Sequence, residues 1–451
     1  MLVKPEKMID RDLEWAIFER FAEREKGLAV VYGPRRVGKS FLLDAVCEAT
    51  GGRRYQAIGG VAATQLADFG RVLGEWLGAG PLRIDGWADA LERLAKVQLP
   101  FVALDELPYL TEVSPEIPSL LQRYVDAGEG PSLILSGSAL SVMSDLVESR
   151  APLYGRAAAV IVPAPLGGAD LTALWGTEDP VSTLWIDAAL GGLPGYRPLV
   201  ESPGSDRDAW MIEEVLAAGS PLLDAAEADL ANVPELPALR GVYRAILAAI
   251  AAGERSFSAI SRVAGLPPGA LSRPLATLQR SGLIERVADP LRSRRDRYEL
   301  ADPHLRFWLA IVSPSRSRLQ AGAAAEVWKR VGTTTWPSQV LGPRWEAAAR
   351  GHISRGGEKR LGGPDLVGAT TVSDPSRRET HELDLIAMRD KQIVAIGETK
   401  LRSLGGDDLD RLLHIRDLLE APAAQLILAS ATEVDTQHSD LIALGPGHVY
   451  T

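Results

Sequence analysis

The chain has 451 residues with 49 Lys+Arg against 59 Asp+Glu, a formal net charge of -10, 46% hydrophobic and 24% charged residues. These values exclude disordered, collagen-like and coiled-coil classes and, at about 150 residues per domain, argue for about three domains. A single cysteine, Cys47, cannot pair within the chain, which excludes a disulfide scaffold and points to a reducing, cytoplasmic location. The N-terminal segment is broken by charges at intervals too short for a secretory core, and no later run is apolar enough for a membrane helix, so no membrane contact is expected.

The first block, to residue 165, alternates apolar runs at 28–32, 101–104 and 133–135 with helical stretches, the pattern of a parallel α/β sheet. Gly33-Pro34-Arg35-Arg36-Val37-Gly38-Lys39-Ser40 fits G-x-x-x-x-G-K-[ST] between an apolar strand and a helical run beginning at Phe41. In that motif the backbone N–H groups cradle phosphates, Lys39 reaches the β/γ-phosphates and Ser40 offers a hydroxyl to Mg²⁺. The strand at 101–104 ends in Asp105, a metal-holding carboxylate, and Glu106, the group that would deprotonate an attacking water. The strand at 133–135 leads to Ser138, placed to contact that water or the γ-phosphate. Arg156, in the turn before an apolar run at 159–162, reads either as an arginine finger or as a surface ion-pair partner.

The ordered set GPRRVGKS, ALDELPYL, LILSGSALSVM, PLYGR and GGLPGY (191–196) resembles the archaeal-type ATPases of the STAND branch of the AAA+ class. The resemblance covers about the first 200 residues. It implies ATP and Mg²⁺ as cofactors, a helical lid over 166–232, a nucleotide-sensing role for Pro194, and nucleotide-dependent oligomerisation.

Residues 241–310 hold eleven Arg against six acids. Three helices, at 242–252, 257–264 and 270–280, precede two strands flanking 289–296, which is the winged helix-turn-helix order. Ser272, Arg273, Thr277 and Arg280 would project from the third helix, and Arg292, Arg294, Arg295 and Arg297 from the wing toward DNA phosphates. Protein docking is the other use of such a module. Pro274 requires that the third helix start late enough to keep it in the first turn. The turn-rich segments at 232–237, 313–317 and 332–338 mark boundaries, giving a winged module at 233–312 and a linker at 313–340.

The last segment, 341–451, leans acidic, with thirteen Lys+Arg against seventeen Asp+Glu. A strand around Asp384 and a second carrying Glu398 and Lys400 on one face would form a hairpin, with Glu346 on an upstream helix. This D-x13-E-x-K pattern resembles the PD-(D/E)xK nuclease fold, which implies Mg²⁺ or Mn²⁺ at Asp384 and Glu398 and charge stabilisation by Lys400. None of the six histidines forms a spaced pair with cysteine, so no structural zinc is expected, and His381 reads as a strand residue. The fold class is therefore α/β: a P-loop parallel-sheet ATPase core (1–165), a helical lid, a winged helix and a restriction-endonuclease-like domain. Three functions follow: an ATPase controlling DNA binding and cleavage, a nucleotide switch with an inert nuclease fold, and a protein-docking scaffold.

Overall fold

Short apolar runs bounded by turns become buried strands. In the computed structural model, which describes residues 2–24, 26–233, 236 and 240–451 apart from the side chains of 240 and 293–295, the chain forms two compact units, 1–165 and 166–451. The side chains of Arg294 and Arg295, expected to reach DNA phosphates, and part of the 232–237 turn lie outside the described residues.

The first unit is a five-stranded sheet of β1 (Leu28–Tyr32), β2 (Arg53–Gln56), β3 (Phe101–Asp105), β4 (Ser132–Gly137) and β5 (Ala157–Ile161) in the order β2-β3-β4-β1-β5, every pair parallel. β3 and β4 are buried along their whole length, as central strands covered on both faces must be, which is why they read as unbroken hydrophobic sequence. β2, with the sequence RRYQ, is an edge strand with one buried residue, Tyr55, and hydrophobicity does not reveal it. The sheet packs helix Lys39–Thr50 through Leu42, Leu43, Val46 and Cys47. Parallel strands place their carboxyl ends together, and in open α/β sheets ligands bind there. Gly33, Glu106 and Ser138 all follow such ends. Arg156 does not: it precedes β5, whose first residue pairs with Leu28 at the start of β1, so it lies one strand length, about 15 Å, from the phosphate-loop end.

In the second unit, helices Arg240–Ala251, Phe257–Val263 and Pro268–Arg280 are followed by the hairpin of β6 (Ile284–Asp289) and β7 (Arg292–Leu300). The third helix starts at Pro268, so Pro274 sits in its second turn, contrary to the sequence expectation. Burial of Pro274 beside Leu271, Leu275 and Leu278 offsets the lost N–H. The segment expected as a linker, 313–340, is helical: Ser313–Gln320 continues a helix from Pro303–Phe307 through a π turn at Trp308–Val312, and Ala324–Val331 and Trp336–Leu341 follow. Pro314 cannot bond back to the preceding turn, and a widened turn is the usual accommodation. Buried Trp328 and Trp336, with ring centroids 5.6 Å apart, pack against Trp185. Ser, Thr, Gly and Pro gave this stretch the look of a turn, whereas the tryptophans and valines decide its structure.

The unit ends in a mixed sheet, β12-β11-β10-β9-β8, of β8 (Leu366–Asp374), β9 (Glu379–Arg389), β10 (Gln392–Lys400), β11 (Gln425–Ser430) and β12 (Leu441–Leu444). β8, β9 and β10 are antiparallel neighbours, and β10, β11 and β12 are parallel. Helix Gly406–Leu418 seats Leu409, Leu412 and Ile415 on Leu383, Ile396 and Leu426. Helix Gly342–Ser354 buries Trp345, whose indole N–H donates to the Ala429 carbonyl at 3.1 Å. Among the described residues no helix is long and apolar enough to cross a membrane.

Gly192 illustrates how tightly the helical segment after 165 is closed. Leu166 N–H donates to the Gly192 carbonyl at 2.8 Å, and a Cβ on Gly192 would stand 1.9 Å from the Leu166 oxygen. Gly192→Ala is expected to destabilise the chain by roughly 1–3 kcal/mol, read as a lower urea midpoint. Gly204→Ala, where a Cβ meets nothing within 4 Å, is the matched control and should stay within about 0.5 kcal/mol.

Candidate functional site

The phosphate loop turns on Gly38, at φ +96°, and on Arg36, at φ +64°, before helix Lys39–Thr50 begins. Arg11 braces it from below, donating to the Val37 carbonyl at 3.0 Å. The Lys39 ammonium is 5% exposed and donates to the Gly33 and Pro34 carbonyls at 2.9 and 2.8 Å. Burial pushes its pKa down to about 8, with Glu106 and Asp105 opposing the shift. Arg35 donates to the Tyr109 hydroxyl at 3.3 Å, and Phe41 is half-exposed beneath the Lys7 ammonium.

Asp105 and Glu106 divide the work. Fully buried Asp105 accepts from Ser40 Oγ at 2.7 Å, and Arg54 from β2 donates to the same oxygen at 3.1 Å while pairing with Asp44. A hydroxyl and a carboxylate in contact are the oxygen donors that Mg²⁺ prefers, so Ser40 and Asp105 fit that ion. Glu106 adopts the left-handed region at φ +55°, which turns its side chain toward β4; there Ser138 donates to Oε2 from its N–H at 3.2 Å and its hydroxyl at 3.0 Å. A non-glycine residue in that region costs on the order of 1–3 kcal/mol, which the surrounding contacts must offset.

Arg156 is not part of this group. It pairs with Asp126 through both Nε and NH2, at 2.6 and 2.9 Å, at the other end of the sheet, and is half-exposed. The expectation that it approaches the γ-phosphate bound by its own chain is therefore corrected to the surface ion pair. Pro194 opens the 3-10 turn Pro194–Leu199 in the second unit.

The C-terminal residues do converge. Lys400 Nζ bonds Asp384 Oδ2 at 3.0 Å and contacts Glu398, and Thr399 donates to Asp384 from both its N–H and hydroxyl, at 3.0 and 3.1 Å. Glu398, 8% exposed on its side chain, is also held by Arg411 from helix Gly406–Leu418. Glu346 accepts two bonds from Arg255 of the winged module at 3.2 Å and lies 3.8 Å from Arg350. Burial and Asp384 push the Glu346 carboxyl above its ordinary range, against the pull of Arg255 and Arg350. The three carboxylates are thus matched by protein cations. As arranged, Lys400 pairs with Asp384 Oδ2 and Glu398, and Arg411 with Glu398, so the acids form an ion-paired cluster.

The wing faces the same domain. Arg297 pairs with Glu382 at 3.0 Å, Arg292 donates to Thr371 at 3.1 Å, and Asp289 accepts from Thr370 at 2.7 Å. On helix Pro268–Arg280, Ser272, Arg273, Gln279 and Arg280 are exposed. Sequence reasoning missed Arg54, Arg255 and Arg411; each comes from an element remote in sequence from the acid it meets, and no local spacing announces it.

If Lys39 meets the phosphates of a nucleotide, its lowered pKa gives that binding a pH dependence. Below pH 8 the free ammonium is already protonated and affinity for ADP should be flat. Above it, binding must take up a proton, and affinity should fall by about tenfold per pH unit up to the bound-state pKa. Calorimetric titrations at pH 7, 8 and 9 measure that slope.

Residues 239–295 match the model of the MarR family. The chain is 27% identical over 322 residues to an uncharacterised protein of Methanocaldococcus jannaschii, covering 70% of this chain and 71% of that one. Among solved structures it is similar to the ORC2 protein of Aeropyrum pernix in ADPNP–ADP complexes (16% identity, TM-score 0.43, 74% of this chain and 97% of that one). It is also similar to the ORC1 protein of the same organism in complex with DNA (14%, 0.36, 70% and 95%) and to a STAND-type signal-transduction ATPase with a tetratricopeptide repeat sensor from Pyrococcus horikoshii (15%, 0.30, 80% and 51%). These overlays are loose, and the reading of the chain rests on its own residues.

Proposed function

We propose that the protein is a Mg²⁺-dependent ATP hydrolase whose nucleotide state governs DNA binding by its winged helix. The observation that carries this reading is the meeting of Lys39, Ser40, Asp105, Glu106 and Ser138 at the carboxyl ends of β1, β3 and β4. Ser40 and Asp105 would hold Mg²⁺, which supplies charge neutralisation at the phosphates. Lys39 exchanges its carbonyl partners for phosphate oxygens, and the N–H groups at the start of helix Lys39–Thr50 face the same anion. Glu106 accepts the proton of the attacking water, while Ser138 keeps the carboxylate aimed. Pro194 is assigned to nucleotide sensing by resemblance alone, and assembly into nucleotide-dependent oligomers belongs to the same reading.

For DNA, the exposed arginines of helix Pro268–Arg280 and the MarR-family match support contact through that helix. The engagement of Arg292 and Arg297 within the protein favours a helix-led interface over a wing-led one. For the C-terminal domain, the arrangement of Arg411 and Lys400 on Glu398 favours the switch reading, in which a nuclease-like fold serves as a scaffold, over DNA cleavage.

Three measurements test this. Lys39→Ala is expected to abolish ATP binding, whereas Glu106→Gln should bind normally and lose turnover by about 10²–10⁴-fold; equal turnover in all three proteins would remove the catalytic assignment. Affinity for duplex DNA should fall steeply with salt, and replacing Arg273 and Arg280 with Ala should lower the log–log slope by about two. Supercoiled plasmid with Mn²⁺ and ATP should stay intact; nicking that disappears in Lys400→Ala would restore the cleavage reading.

A further inference from the structure

Three side chains brought together at the turn end of the β8–β9 hairpin have no part in the sites above. Asp374 closes β8, His381 lies near the start of β9, and His414 projects from helix Gly406–Leu418. Their ligand atoms, the Asp374 carboxylate and one nitrogen from each imidazole, all fall within 4.8 Å of one another. Asp374 Oδ2 stands 2.8 Å from His414 Nε2 and 3.6 Å from His381 Nε2, and the two rings face each other edge-on with centroids 5.7 Å apart.

We propose that Asp374, His381 and His414 form a zinc site that clips the β8–β9 hairpin to the helix carrying Arg411. Zinc takes imidazole nitrogen at about 2.0–2.1 Å and carboxylate oxygen at about 2.0–2.2 Å, so ligand atoms in a tetrahedral site stand about 3.3 Å apart. The spacings here bracket that value, and small rotamer adjustments reach it. Two imidazoles and one carboxylate are a borderline donor set, suited to Zn²⁺ or Co²⁺ and poorly suited to Mg²⁺ or Ca²⁺, which take oxygen. A water completes the fourth position.

Two further observations support a ligand at this point. His381 Nε2 is fully buried and makes no hydrogen bond among the described residues, an orphaned nitrogen of the kind that native interiors seldom leave. Asp374, 1% exposed, has its other oxygen fixed by the Ser376 N–H at 2.9 Å, the Ser376 hydroxyl at 2.5 Å and the Arg377 N–H at 3.2 Å. This shell holds Oδ2 toward the imidazoles, as outer-shell partners of metal ligands do. Among the described residues, the Arg377 guanidinium is 3.8 Å away on a side chain 60% exposed.

The test uses the full chain, stripped with chelator and then equilibrated with Zn²⁺ or Co²⁺ alone before gel filtration. About one equivalent of metal should remain on the wild type, and on Asp384→Asn/Glu398→Gln, which excludes the neighbouring acids as its source. His381→Gln/His414→Gln should retain less than about a tenth of that. His414→Cys provides an independent readout that does not depend on loss of folding: with Co²⁺ it should gain a thiolate-to-metal charge-transfer band that the wild type lacks. A wild type that keeps no metal, a double histidine variant that keeps a full equivalent, or a cysteine variant that binds Co²⁺ without that band would each overturn the site.

Discussion

The carboxylate of Glu346 is the constraint around which the second unit is organised. It lies at the start of helix Gly342–Ser354, takes both guanidinium nitrogens of Arg255 from the winged module, and shares Arg350 with Glu299 of β7. Burial alone would make Glu299 hard to ionise, but Arg350 and Arg255 outweigh it and hold its carboxyl below the ordinary range. Removing one member of such a set leaves the others buried and unbalanced, at a cost on the order of 3–5 kcal/mol. That is a sizeable part of a typical domain's stability. The winged module and the helix leading into the C-terminal sheet are therefore joined through four charges, and separating them would leave those charges without these partners.

This arrangement changes what the basic middle segment means. Its eleven arginines look like a surface for polyanions, yet Arg255, Arg292 and Arg297 are turned inward onto Glu346, Thr371 and Glu382, and Arg306 is buried, with its pKa lowered to about 10 by burial. Among the described arginines of this segment, Arg262, Arg273, Arg280 and Arg286 are the exposed ones. A count of positive charge thus overstates the electrostatic footprint, because a guanidinium paired with a carboxylate of the same protein contributes less to the outside field.

The phosphate loop was legible from the sequence because every residue of the motif is contiguous, and a strand before it and a helix after it are imposed by the same few positions. Asp105 and Glu106 were legible for a related reason: a strand buried on both faces announces its own end. Asp384, Glu398 and Lys400 could be placed together because a tight hairpin and a period of two fix their relation. Beyond that reach the sequence falls silent. Arg156 could not be assigned an end of the sheet without knowing that β5 lies beside β1, and residues 313–340 looked like a linker because turn-forming residue types masked the buried tryptophans. Asp374, His381 and His414 come from three elements and share no motif spacing, so only the folded chain assembles them.

Cys47 sits on helix Lys39–Thr50, two turns beyond Lys39, and is 5% exposed, with its pKa raised to about 11 by burial and the nearby Asp44. Since the thiolate is the reactive form, burial and the raised pKa both slow attack by a thiol reagent in the folded state. As the sole cysteine in the chain, it makes the unmodified protein its own reporter: in the regime where local opening limits reaction, the rate of alkylation follows the openings of this helix, and slowing by a bound ligand measures how far that ligand stabilises the closed form.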